Sequence, residues 1–317
     1  MRLKWFKYLF LFALLLAFGR CAKKKAFKAE DGQAAVEVRH AQAEEDLALI
    51  DINQALAGQW MLRGKAAAAT ATNVFGALCG FSIDTSSVGQ GIIRLNYDGS
   101  ECSGRRRSGS IILTVQNFSA TTLKTAGCVV DINFQNYMTT QTSTGNSLNF
   151  NGTAHLTNQS GGTWYELVFL NQQSLTQALT ATNLEVSIKN MVFVHYNISR
   201  SAAYTYSNGV VSCSESGFGT HNGLGNTETW GVTSVQKEFT SQISTPLKWS
   251  TVCGPVSPLG GEVSVKETEK DFALNVQYGV DASGNSFSQS GSNCPFGFKT
   301  SWSYSGDTRS LVFGYTD

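Results

Sequence analysis

The chain has 317 residues, of which 42% are hydrophobic and only 15% are charged, and its formal net charge is +1 at pH 7. Removing residues 1–20 would take away four basic residues and no acidic one, which leaves 20 basic against 23 acidic residues and a net charge of −3. This balance excludes a broadly basic nucleic-acid-binding protein, because that class depends on many Lys and Arg contacts to phosphate. Low charge with abundant Thr, Val, Tyr and Phe favours strands over helices.

The N-terminus has the pattern of an export signal. A basic start leads into an apolar run at residues 8–18 and then to Cys21. This order is typical of a lipoprotein signal peptide over residues 1–20, after which Cys21 carries the lipid. The apolar run is shorter than the roughly 20 residues that cross a bilayer. Arg20 stands where such signals usually carry a small residue, so a non-lipidated secretory signal and an uncleaved anchor are the alternatives.

The sequence predicts a lipidated tether at residues 21–32 and a helical segment at residues 33–65. The stretch Gln33–Leu62 is rich in Ala, and its middle is acidic. This helix could stand as a stalk or pack on a sheet, and its apolar second half favours packing. Its apolar residues recur at spacings compatible with one helical face, and they include Val36, Leu47, Ile50 and Leu56.

After residue 73 the sequence alternates with a period of two, and clusters of Gly, Asn, Asp and Ser separate the alternating segments. The fold class predicted from this pattern is mainly β, an antiparallel β-sandwich-like arrangement with a short N-terminal helix. It has either two modules, at residues 73–190 and 191–317, or one continuous β domain. Strands are predicted at residues 91–97, 109–115, 128–134, 148–156, 165–170, 184–196, 232–243, 261–266, 272–278, 296–304 and 310–315.

Six cysteines besides Cys21 form an even set, which is typical of a disulfide framework in an exported protein. They are Cys79, Cys102, Cys128, Cys213, Cys253 and Cys294. Two hairpin-like segments echo each other, since each has a Cys before a strand and a Cys after it. From this similarity we predict disulfides between Cys79 and Cys102 and between Cys253 and Cys294. Cys128 and Cys213 remain for a third bridge or as free thiols.

Three segments carry a pattern that is known from one group of proteins. A strand ends at Asp98-Gly99 before Cys102 and an Arg-rich turn, residues 130–137 alternate Val, Ile and Phe before Asn-Tyr, and Thr245-Pro246-Leu247 precedes Cys253. In these segments the chain resembles uncharacterised envelope lipoproteins of the Bacteroidota. The resemblance implies a lipid-anchored, β-rich envelope protein, and it transfers no catalytic assignment.

Arg105, Arg106 and Arg107 form the densest basic cluster after the tether. Guanidinium groups suit phosphate, sulfate and carboxylate, so this cluster could bind a phosphate or a sulfated or uronic sugar. The alternative is a solvated hairpin tip.

The other candidate sites favour structural interpretations, and neither a metal, a cofactor nor a catalytic residue is predicted. The loop at residues 281–285 has alternate oxygen side chains but lacks the Glu of an EF-hand, which favours a turn over calcium. The four histidines stand beside no acid or Cys in the sequence, and no H-E-x-x-H or G-x-S-x-G motif occurs. Trp and Tyr residues could form a sugar-binding platform, but core packing is favoured.

The sequence thus predicts an exported, lipid-anchored envelope protein at the outer membrane or cell surface, with a periplasm-facing position as the alternative. Its expected role is that of a non-enzymatic binding or structural module. The alternative is a carbohydrate-binding accessory subunit or a glycan-active enzyme. Its expected partners are the membrane, through the N-terminal lipid, and a glycan or another envelope protein.

Overall fold

The computed structural model describes residues 33–62, 79–188, 191–232, 236–267, 273–288, 293–304 and 307–315. The predicted signal peptide, the tether, Cys21 and residues 63–65 of the helical segment lie outside these described residues. The mainly β, antiparallel fold with an N-terminal helix is confirmed. None of the described helices is both long and apolar enough to cross a membrane.

Two helices accompany the strands. Helix α1 is Gln33–Leu62, as predicted, and helix α2 is Trp164–Phe169. The strands are β1 Phe81–Asp84, β2 Ile92–Cys102, β3 Arg105–Val115, β4 Cys128–Gln141, β5 Ser147–Asn158, β6 Leu175–Ile188, β7 Met191–Ser207, β8 Val210–Gly217, β9 Gly219–His221, β10 Leu224–Val232, β11 Glu238–Ser250, β12 Gly260–Glu267, β13 Ala273–Val280, β14 Gly297–Tyr304 and β15 Asp307–Gly314.

The strands form one hydrogen-bonded sheet in which successive strands are mostly neighbours. The order runs β1 to β7, then β10 to β15, while β8 pairs with β7 and β11, and β9 pairs with β10. All the described pairings are antiparallel. Strands β6 and β7 pair directly across residue 190, where two modules were predicted to meet. That division of the chain stays a prediction.

The sheet curves around helix α1 and encloses it. Side chains of the helix contact Tyr97 on β2, Thr139 on β4, Arg200 on β7 and the ring of Tyr278 on β13. These strands span most of the sheet, so the helix lies against its inner face along both halves. The prediction that the helix packs on the sheet is therefore confirmed.

The apolar core forms where the inner face of the sheet meets the helix. Ile52 and Ala48 of α1 are fully buried in one cluster with Leu95, Ile111 and other residues of β1–β7. A second cluster joins β11 to β14, and a third holds α2 against Ala57, β7, β8 and Trp249. Alternate residues of each strand supply these clusters, because side chains of a strand point to opposite faces in turn.

A bulge in β4 changes which of its residues face the helix. The pairing of β3 with β4 shifts register between Ser108 and Ser110, so that Asn136 and Tyr137 share the place opposite Gly109. As a result Phe134 and Tyr137 both point inward. Gly109 makes the close approach feasible, since a Cβ there would lie 2.0 Å from the carbonyl oxygen of Asn136.

The predicted strand at residues 165–170 is wrong, because this segment belongs to helix α2. The side chain of Thr163 accepts a hydrogen bond from the backbone N–H of Tyr165, and Glu166 accepts one from the backbone N–H of Thr163. Together they form a capping box, which starts a helix even when the sequence that follows is apolar. The Thr-x-x-Glu spacing was the signal that could have identified it.

Other strand boundaries also differ from the predictions. The predicted strand at 184–196 contains the end of β6 and the start of β7, and that at 232–243 contains the end of β10 and the start of β11. Strands β1, β8 and β9 were not predicted. In β8 the inward positions include the buried Glu215 beside Val211 and Cys213, so the apolar alternation is interrupted.

We expect the substitution Ile52→Ala to lower the free energy of unfolding by about 2–5 kcal/mol, because Ile52 is completely enclosed between helix and sheet. The substitution Leu311→Ala is the matched control, since Leu311 is half exposed on β15 and should cost less than about 1 kcal/mol. Urea unfolding followed by circular dichroism measures both values. Equal effects of the two substitutions would contradict the enclosure of α1.

Candidate functional site

The three predicted arginines lie at the start of β3 and point to different sides. Arg106 is on the outer face, where its side chain is 64% exposed and 3.7 Å from Glu101. Arg105 and Arg107 point inward, towards α1. The cluster is therefore not a uniformly solvated hairpin tip, since strand alternation directs two of its three side chains to the helix.

Arg107 is held by Asp51 of the helix. Its Nη1 lies 2.5 Å from Asp51 Oδ2, and its Nη2 donates to the carbonyl oxygen of Cys79 at 3.0 Å. The hydroxyl of Tyr97 donates to the same Asp51 oxygen at 3.0 Å. Burial outweighs these contacts and raises the pKa of Asp51 to about 6.

Arg105 is held by Glu44, about two helical turns nearer the start of α1 than Asp51. Its Nε donates to Glu44 Oε1 at 2.7 Å, and the hydroxyl of Thr139 donates to Glu44 Oε2 at 2.8 Å. Both carboxylate oxygens of this buried glutamate therefore have partners. Arg105 itself stays partly exposed, with 18% of its side chain accessible.

Arg200 on β7 is the centre of a third polar cluster, which is completely buried. Its Nη2 lies 2.6 Å from Glu45 Oε1 and 2.5 Å from Asp46 Oδ1, and its Nη1 lies 3.3 Å from Glu215 Oε2. The indole N–H of Trp249 donates to Glu215 at 2.8 Å. One guanidinium thus faces three carboxylates from the helix and from β8.

The excess of acid around Arg200 changes how these carboxyl groups titrate. Burial, opposed by Arg200 and reinforced by Glu215 and Glu228, raises the pKa of Glu45 to about 7. Burial likewise raises the pKa of Asp46 and of Glu228, which accepts a hydrogen bond from Ser241. A single cation cannot compensate the charge of all these groups, so protonation of some of them stabilises the cluster.

A pocket opens at the seam where β3–β5 face β14 and β15, two parts of the sheet that are not hydrogen-bonded to each other. It has a volume of about 280 Å³, near the lower end of the range for small-molecule sites, roughly 300–1,000 Å³. We call it the seam pocket. It is lined by Arg39, His40, Ala43, Glu44, Arg105, Thr139, Gln141, Asn146, Leu148, Val256, Phe298, Phe313, Gly314 and Tyr315.

The floor of the seam pocket is polar and comes from helix α1. Arg39 donates from Nη2 to the carbonyl oxygen of Pro255 at 2.9 Å, and its guanidinium carbon lies 5.2 Å from the centre of the Tyr278 ring. Burial lowers the pKa of His40, and the charges of Arg39 and Arg105 lower it further against the opposing effect of Glu44. His40 is therefore neutral at pH 7.

One wall of the seam pocket is aromatic and comes from β14 and β15. The rings of Phe298 and Phe313 stack with their centres 5.3 Å apart. Tyr315 is fixed by its hydroxyl, which donates to the carbonyl oxygen of Pro258 at 2.7 Å and accepts from the backbone N–H of Gly279 at 3.0 Å. The pocket thus combines a charged floor with a rigid apolar wall.

The structure contains both predicted disulfides, Cys79–Cys102 and Cys253–Cys294. Cys128 and Cys213 are free and buried, and they lie on β4 and β8. No third bridge joins these two cysteines. Burial raises the pKa of both thiols, which keeps them unreactive.

The remaining candidates have structural roles. Asp281 accepts from the backbone N–H groups of Ser283 and Asn285, which is the favoured turn. Among the described residues, no group of three or more His, Cys, Asp or Glu side chains is placed to hold a metal ion. His155 pairs across strands with Asp131, 2.7 Å away on the exposed face, a neighbour that sequence adjacency could not show. Several of the predicted aromatic residues fill the core: Trp164, Trp249, Trp302, Tyr137, Tyr196 and Tyr204.

Sequence reasoning missed Arg39 and Arg200 and gave His40 no role. A signal existed for Arg200, because it is an isolated charge in a strand whose neighbours Ile198 and Ala202 are apolar. Arg39 had no comparable signal, because charged residues occur along much of the helix. In comparisons with known proteins, no protein family, curated protein or solved structure matches this chain.

We expect the protein to be more stable at pH 5 than at pH 8. The folded-state pKa of Glu45 is raised to about 7, whereas an unfolded glutamate titrates near 4.3. Between these values the folded chain binds more protons than the unfolded chain, so stability falls as the pH rises through this window.

The free energy of unfolding should decrease by about 1–3 kcal/mol from pH 5 to pH 8, measured by denaturant titration at each pH. The substitution Glu45→Gln should reduce that decrease, while Glu185→Gln on the exposed face of β6 should leave it unchanged. A free energy of unfolding that stays constant or increases over this range would refute the interpretation of the Arg200 cluster.

Proposed function

We propose that this protein is an exported, lipid-anchored envelope protein that acts as a non-enzymatic binding module, with the seam pocket as its binding site. The observation that carries the proposal is the organisation of the pocket. Arg39, Glu44, Arg105 and Tyr315 are each held by an internal hydrogen bond. Side chains that are fixed in advance lose little freedom when a ligand binds, which favours recognition.

Two further observations support export and anchoring. Cys21 follows closely after the apolar run of the signal pattern, which supports a lipid anchor. The resemblance to Bacteroidota envelope lipoproteins supports the same location in the cell envelope. The two disulfides are typical of proteins that fold in an oxidising compartment. In this proposal the lipid holds the chain at the outer membrane or cell surface, and the folded part reaches its ligand from there.

One observation favours a glycan as the ligand. The amide side chains of Gln141 and Asn146 stand at the edge of the same pocket as the Phe298 and Phe313 rings. Aromatic faces beside amides suit sugars, so a carbohydrate-binding accessory subunit is the second candidate function.

We expect the substitution Cys21→Ser to abolish lipid attachment in a Bacteroidota host. The wild-type chain should incorporate a metabolically supplied fatty-acid label and sediment with membranes, whereas the variant should remain unlabelled. Protease treatment of intact and lysed cells then distinguishes a surface position from a periplasm-facing one. If the wild-type chain carries no label and is recovered with the soluble proteins, the proposed anchor is wrong.

A further inference from the structure

The seam pocket carries an excess of positive charge. Arg39 and Arg105 contribute two cationic groups and Glu44 one anionic group, while His40 is neutral. Arg39 contacts the Pro255 carbonyl and the Tyr278 ring, and it also interacts electrostatically with Asp46, which does not line the pocket. Among the residues that line the pocket, Glu44 pairs with Arg105, and Arg39 supplies one further cationic group.

Arg105 lines the seam pocket, and 18% of its side chain is exposed although Glu44 holds it. Its bond to Glu44 uses Nε, so this pair leaves the two Nη groups available. The two Nη groups of an arginine form a fork that matches both oxygens of a carboxylate. Arg105 can therefore keep its internal partner and bind a second anion at the same time.

Part of the pocket lining is apolar. Leu148 and Val256 line the same pocket as Phe298 and Phe313. A ligand that fits both surfaces has a charged end and an apolar ring or sugar face, and a volume of about 280 Å³ limits it to one or two rings.

We propose that the seam pocket binds a small organic monoanion, a carboxylate carried on an apolar ring or on a sugar ring, with its carboxylate at the Arg105 fork and its ring against Phe298 and Phe313. This inference rests on the proposed binding function and adds the chemical class of the ligand. The carboxylate supplies the negative charge that the floor lacks, and the ring covers apolar surface at the seam.

The test measures binding of matched acid and neutral probes to the full-length chain in detergent. Phenylacetate is compared with phenylacetamide, and galacturonate with galactose, by isothermal titration and saturation-transfer NMR. The two pairs distinguish an apolar ring from a sugar ring, and inorganic phosphate tests whether charge alone suffices. At least one acid should bind, and its neutral counterpart should bind about tenfold more weakly or not at all, because hydrogen bonds to charged groups contribute roughly 1.5–3 kcal/mol.

Two arginine variants locate the charge that matters. Arg105→Gln should weaken binding of the acid about tenfold or more, while Arg106→Gln on the outer face should change it less than about twofold. Glutamine at position 105 still offers a donor to Glu44, and thermal melting verifies that both variants are folded. The variant Ala43→Leu fills the floor and should abolish binding of acid and neutral probes alike.

The outcomes separate this inference from the proposed function. Equal binding of acid and amide, or equal effects of Arg105→Gln and Arg106→Gln, would overturn the inference while binding at the seam pocket stands. Binding that survives Ala43→Leu would overturn both, because the ligand would then lie elsewhere. If no probe binds, the ligand class is wrong, and the membrane anchor is judged by the labelling of Cys21 alone.

Discussion

The structure depends on the pairing of charges on an enclosed helix. Helix α1 is surrounded by the sheet, yet it carries Glu44, Glu45, Asp46 and Asp51 in its buried part. An unpaired buried carboxylate is so costly that a helix with this sequence cannot be enclosed unless the surrounding strands provide cations. The inner face of the sheet provides these cations next to the carboxylates, in the side chains of Arg105, Arg107 and Arg200.

These pairs define one position of the helix relative to the sheet. Rotating α1 by one residue, about 100°, would move Glu44 away from Arg105 and Asp51 away from Arg107. Buried ion pairs contribute little net stability, because desolvation offsets most of their attraction. We therefore attribute stability to the apolar clusters and the register of the helix to the arginines. The carboxyl groups near Arg200 outnumber their cationic partners, and this lowers the free energy of unfolding at neutral pH.

Much of the fold followed from the sequence because it depends on local patterns. Alternation identified most strands, Ala-rich composition identified α1, and the hairpin echo identified both disulfides. The enclosure of α1 could not be inferred, since a helix with charges on every side has the same pattern in water and in a polar interior. For the same reason β8 was missed, where Glu215 occupies an inward position that apolar alternation would assign to a hydrophobic residue.

Only part of the candidate site could be predicted from the sequence, because its residues come from distant parts of the chain. Arg105 was identified as a candidate because it stands in a run of three arginines, but its neighbours in the pocket come from α1, β14 and β15, far away in the chain. The pocket exists where the sheet curves around the start of α1 and its two halves meet without hydrogen bonds. At this seam the buried Glu44 holds Arg105 through Nε, and the partly exposed Arg105 lines the pocket. The Glu44–Arg105 pair, which helps to fix the enclosed helix, thus also holds a cationic side chain in position for a ligand. For this reason we propose that the protein functions at the seam pocket.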